Sequence, residues 1–74
     1  MPTRPALTQR ETSILALAAS GCTDKEIARA LGVARSTVSN QMSIILLKLH
    51  AANRTEAAAI AIRDGLITPS PREA

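Results

Sequence analysis

The chain has 74 residues and a net charge of +3, so it holds one small domain whose basic balance permits a polyanionic partner without demanding one. A single cysteine, Cys22, and a single histidine, His50, exclude an internal disulfide and a zinc cluster. The lack of Phe, Tyr and Trp weighs against binding of single strands by base stacking, and no apolar run approaches the length of a membrane span.

Residues 1–6, Met-Pro-Thr-Arg-Pro-Ala, lack the apolar stretch of a signal peptide and are expected to form a disordered lead. Thr8 stands three residues before Glu11, the spacing of a capping box, with Leu7 just outside it. The run from Gln9 to Ala19 then places Ile14, Leu15, Leu17 and Ala18 in a helical pattern, and Gly21 is placed to end it. Thr23 and Glu26 repeat the capping device, and Asp24 adds a favourable charge to the first turn. Ile27, Ala28 and Leu31 form a narrow apolar stripe before Gly32 stops the second helix. A helix of about two turns does not hold alone in water, so this one needs neighbours.

Gly32-Val33-Ala34 reads as a three-residue turn into a third helix, expected from Arg35 to His50. Val38, Met42, Ile45, Leu46 and Leu49 recur at spacings of three and four and face the core, with Ser36, Ser39, Asn40 and Ser43 on the opposite side. Thr37 and Val38 are weak helix formers, so packing rather than propensity must hold this segment. Asn53 stands three before Glu56, a third capping-box spacing, and opens an alanine-rich fourth helix from Arg54 to Asp64. Ala57, Ala58, Ala61 and Ile60 give it small side chains on one side, and Gly65 ends it. Leu66 and Ile67 are expected to fold back on the core, and residues 68–74 to form a flexible tail. The expectation is an all-α, compact four-helix helix-turn-helix domain over residues 7–67. Fourteen alanines inflate its apolar count, leaving eight Leu, seven Ile, two Val and Met42 as the core stock, which is thin enough to leave surface for a partner.

Two capped helices joined by a glycine-containing turn are the grammar of the helix-turn-helix. Its short first helix braces a second that projects and enters a major groove about 12 Å wide. The projecting face here carries Ser36, Ser39, Asn40 and Ser43, short hydrogen-bonding side chains, and Asn40 and Gln41 are amides able to pair with adenine. Arg35 at the helix start, Arg29 on the bracing helix and Lys48 can reach the DNA backbone. Helical hairpins with solvated serines also occur in bundles that touch no DNA, so the pattern alone leaves both readings open.

The series Leu7-Thr8-Gln9-Arg10-Glu11, Lys25 to Val33, Ser36 to Leu49 and Asn53-Arg54-Thr55-Glu56-Ala57 closely resembles the LuxR/GerE-type DNA-binding domain, also the output half of NarL/FixJ-type response regulators. The resemblance runs from Leu7 to about Ile67. It implies a bacterial transcription regulator of the cytoplasm that binds double-stranded DNA, often as a homodimer on two half-sites. By that resemblance the third helix reads the major groove and the fourth carries the dimer contact. Ser39, Asn40 and Ser43 fall where the family points side chains at bases. Thr37 falls where it commonly contacts phosphate, joined here by Arg35, Ser36 and Lys48. Glu11 matches an acidic residue of structural role.

The chain departs from the family at several positions. The family usually has Lys where this chain has Ser39, commonly His at Gln41, a Ser or Thr cap at Ala34, a polar residue at Ile44 and a basic one at Leu47. Losing one phosphate contact lowers the salt slope by about one. Losing the cap typically costs about 1 kcal/mol. Two alternatives stand for Ala34: Ser36 caps a helix that starts later, or the free amides are reserved for a phosphate.

Ile44 and Leu47 sit three apart on one edge of the third helix, outside its core stripe, and are expected to be partly exposed. With Ala57, Ala58 and Ala61 of the fourth helix they form the expected dimer or partner contact. The alternative function is accordingly a protein-interaction module on the same scaffold, with RNA polymerase or a second regulator as partner. Cys22 reads as a small, half-buried side chain and His50 as the residue closing the third helix. The serines lack His and Asp partners, so no enzyme, cofactor or metal is expected. No receiver or sensing domain is present in these residues. They fit an excised output domain and a stand-alone chain alike, and Pro-Ser-Pro-Arg-Glu-Ala fits a true chain end.

Overall fold

The computed structural model describes residues 7–67; the expected lead and tail lie outside the described residues. The four helices are α1 (Gln9–Ala19), α2 (Asp24–Leu31), α3 (Arg35–Leu49) and α4 (Arg54–Arg63). Their starts follow from side-chain caps. The Thr8 hydroxyl accepts from the Glu11 N–H at 3.1 Å while the Glu11 carboxylate accepts from the Thr8 N–H at 2.8 Å. Thr23 and Glu26 make the same reciprocal pair at 3.2 and 2.8 Å. Each cap satisfies amides that the helix itself leaves free, a contribution of about 1 kcal/mol.

The third expected box is offset by one residue. Asn53 does accept from the Glu56 N–H at 2.8 Å, but the Glu56 carboxylate takes the amide of Ala52 rather than that of Asn53. Asn53 enters its helix more extended, at φ −157° and ψ 174°, than the two threonines do. Two helix ends also fall one residue short of expectation. His50 lies outside α3 as its left-handed cap at φ 55°, and Asp64 lies outside α4.

The core draws on every helix: Ile14 and Leu15, Ile27 and Ala28, Val38, Met42, Ile45 and Leu49, and Ala57 and Ala61, closed by Ile67. Leu17, Ala18, Leu31 and Leu46 pack half-buried around it. Of the two residues expected to fold back, only Ile67 does; Leu66 is exposed.

Ala57 and Ala61 correct the expected partner surface. Both are fully buried, where methyl side chains let the α4 backbone come close to α1 and α3. They therefore belong to the core and not to an interface. Helix α4 instead turns Thr55, Ala59 and Ile62 outward, and Ala58 is half-buried. Helices α2 and α4 share no close backbone approach, yet Arg54 reaches across, its Nη1 donating to the Asp24 carboxylate at 2.8 Å. Among the described residues, no helix is long and apolar enough to cross a membrane.

Candidate nucleic-acid interface

Helices α2 and α3 are in contact and are joined by a tight corner. Gly32 ends α2 at φ 70° and ψ 34°, a left-handed conformation that costs glycine nothing. The Val33 N–H then returns to the Ala28 carbonyl at 3.0 Å, and half-buried Val33 packs against the core. This is the local reason that α3 leaves α2 at a fixed angle.

Helix α3 begins at Arg35 with Ala34 as its cap residue, and no side chain caps it. Ser36 therefore lies inside the helix and does not cap a later start, which removes the first of the two alternatives read from the sequence. The Thr37 and Val38 amides bond back to the Ala34 carbonyl at 3.0 and 3.3 Å. The amides ahead of them are left to solvent or a ligand. Arg35, Ser36, Ser39, Asn40 and Ser43 are exposed, and Thr37 is half-buried. The Ser43 hydroxyl donates to the Ser39 carbonyl at 3.2 Å, which leaves its oxygen free to accept. Gln41 is half-buried on the flank.

Lys48 goes elsewhere. Its Nζ donates to both oxygens of the Glu11 carboxylate, at 2.8 and 3.1 Å, with side-chain exposures of 23% for Lys48 and 5% for Glu11. The ammonium expected at the DNA backbone is thus drawn inward to tie α3 to α1. Burial alone would raise the Glu11 carboxyl. The hydrogen bond from Lys48, the Thr8 backbone N–H, the charge of Lys48 and the Thr8 hydroxyl outweigh it, so the carboxyl sits below its ordinary value of 4.5.

Arg54 and Arg63 are also engaged, with Asp24 and Asp64 at 2.8 and 3.1 Å. Four exposed cations remain without an acidic partner among the described residues: Arg10, Lys25, Arg29 and Arg35. Lys25 and Arg29 stand four apart on the outward side of α2, and Arg35 opens α3. The i, i+4 spacing of Lys25 was available in the sequence as a signal and marks it beside Arg29. Ile44 and Leu47 are exposed as expected, at 41% and 77%.

The sequence pattern of the family described as "Bacterial regulatory proteins, luxR family" matches residues 5–61. The chain is 52% identical over 61 residues to the uncharacterized transcriptional regulatory protein YvfU of Bacillus subtilis, covering 82% of this chain and 30% of that protein. It is 44% identical over 62 residues to the transcriptional regulatory protein LiaR of the same organism, covering 84% of this chain and 29% of LiaR. The chain thus spans under a third of the length of these relatives. The solved structure of the transcription factor GerE superposes with a TM-score of 0.82 at 31% identity, over 88% of this chain and 97% of that one. VqmA of Vibrio cholerae, solved in complex with a ligand and DNA, superposes with a TM-score of 0.79 at 27% identity, over 92% of this chain and 31% of that one.

Proposed function

The chain belongs to the luxR family of bacterial regulatory proteins, DNA-binding regulators of transcription, and on that premise we propose that α3 is its reading head for double-stranded DNA. The observation that carries this reading is the outward side of α3. There Ser36, Ser39, Asn40 and Ser43 are exposed, and their side chains take no partner from another helix. Asn40 offers the paired donor and acceptor that suit adenine, and the serines accept or donate as the base edge requires. Arg35, Ser36 and Thr37, together with the uncapped first turn, hold phosphate, and Arg29 and Lys25 extend that grip along α2. Lys48 has no place in this set, because Glu11 holds it.

A homodimer forms on α4 through Thr55, Ala59 and Ile62, and two copies read two half-sites in the bacterial cytoplasm. In this reading the chain serves as the output part of a regulator, and the relatives' greater length supports that.

A second reading is favoured by the exposure of Ile44 and Leu47. In it the same scaffold docks a protein partner, RNA polymerase or a second regulator, through those residues and α4.

Fluorescence anisotropy of the chain with a long random duplex, at about 50 and then about 200 mM salt, separates the two readings. If all four unpaired cations neutralise phosphates, affinity falls by roughly a hundredfold per bound chain over that range. Sedimentation alongside reports the dimer. No binding by a folded sample at either salt overturns the DNA reading and favours the protein-docking one.

A further inference from the structure

Resting on the groove-reading role of α3, we propose that Leu47 is a specificity-determining residue that reads the methyl group of thymine. Ser36, Asn40, Ser43 and Leu47 stand at i, i+4, i+7 and i+11. At about 100° per residue these four fall on one line along the helix, opposite the buried line of Val38, Met42, Ile45 and Leu49. All four are exposed, and Leu47 is the most exposed large apolar side chain among the described residues at 77%.

No charge interrupts this line. Arg35 precedes it, and Lys48, one residue past Leu47, is turned away to Glu11. A groove met at this end by an isobutyl group offers it one apolar feature, the C5-methyl of thymine. From Ser36 to Leu47 the rise is about 16 Å, roughly five base pairs at about 3.4 Å each, so Leu47 meets a base step beyond those read by Asn40 and Ser43. Ile44, 41% exposed on the flank of the same turn, shields that contact from water on one side. Position 47 therefore adds base preference where a cation would add only salt-dependent grip.

The test begins with a site selected from a random duplex pool by the full chain. Each thymine of the site is then replaced singly by deoxyuridine, which removes the methyl and changes no hydrogen bond. The wild-type chain is expected to weaken by about fourfold at one thymine per half-site, the value of one buried methyl. Leu47→Ala abolishes that sensitivity, and Leu47→Met retains most of it. Leu47→Lys loses it and raises the salt slope by about one. Because Leu47 is exposed, all three variants are expected to melt as the wild type does.

If no site is selected and no duplex is bound, the reading of α3 fails and Leu47 fails with it. If a site is selected but the wild-type chain is indifferent to every uridine, α3 stands and the role of Leu47 is overturned. A Leu47→Ala variant as sensitive to uridine as the wild type overturns it equally.

Discussion

The two sides of α3 obey different rules. Its inner line, Val38, Met42, Ile45 and Leu49, is at most 7% exposed and is enclosed by the other three helices. Its outer line, Ser36, Asn40, Ser43 and Leu47, stands in solvent, and its side chains bond only locally, from the Ser43 hydroxyl to the Ser39 carbonyl, among the described residues. Rotation about a single axis thus separates the residues that hold the fold from those offered to a partner. The same split decides the fate of the charges. Lys48 falls on the inner flank and is spent on Glu11, whereas Arg35 falls at the open end and stays free. In this helix, therefore, stability and recognition are nearly independent quantities, and substitutions can move one without the other.

Ile45→Ala is the substitution expected to cost most. It opens a cavity at a fully buried position and should lower stability by about 3 kcal/mol in urea unfolding. For a domain this small that is a large share of the about 4–10 kcal/mol available.

Lys48→Met comes next, at about 2 kcal/mol at neutral pH, because it leaves the Glu11 carboxylate buried without its cation. The pH dependence gives this an independent check. The Glu11 carboxyl lies below its unfolded value of 4.5 in the folded chain, so its contribution is complete above about pH 4.5. It is lost as the pH falls through the lower folded value. The gap in stability between wild type and Lys48→Met should therefore narrow in acid, and a gap that stays constant down to about pH 3 would show that Lys48 acts by packing alone.

The helix starts offer a smaller contrast of opposite sign. Thr23→Ala removes a cap and should cost about 1 kcal/mol, while Ala34→Ser supplies one that α3 lacks and should add a similar amount. Thermal melting resolves both, since about 1 kcal/mol shifts a domain of this size by several degrees.

Asn40→Ala should be the mildest for the fold, within about 0.5 kcal/mol of wild type, because the side chain is exposed. Its effect belongs to recognition: relaxed preference among sites, with non-specific affinity nearly unchanged. If it left site preference intact, Asn40 would not be a base contact.

Much of this division was legible in the residues. The caps at Thr8 and Thr23 depend on side chains three apart, so spacing alone declares them. The inner line of α3 declares itself by its period, and the exposure of Ile44 and Leu47 follows from their lying off it. What escaped is what no local pattern encodes. The pairing of Lys48 with Glu11 joins residues 37 apart in sequence, and only the packing angle of α1 on α3 brings them together. The facing of α4 escaped for another reason. Alanine suits a surface and a tight helix contact equally, so a helix written mostly in alanine does not announce its buried side. Here Ala57 and Ala61 went inward, and Ile62 was left outside at 38% exposure.

The most direct test of the divided helix is a titration of the isotopically labelled chain with duplex DNA, following each backbone amide by NMR. The account predicts that the amides of Arg35, Ser36, Ser39, Asn40 and Ser43 move first and furthest, while those of Ile45, Leu49 and α4 respond weakly. Large shifts confined to Thr55, Ala59 and Ile62, with the first two turns of α3 silent, would contradict it.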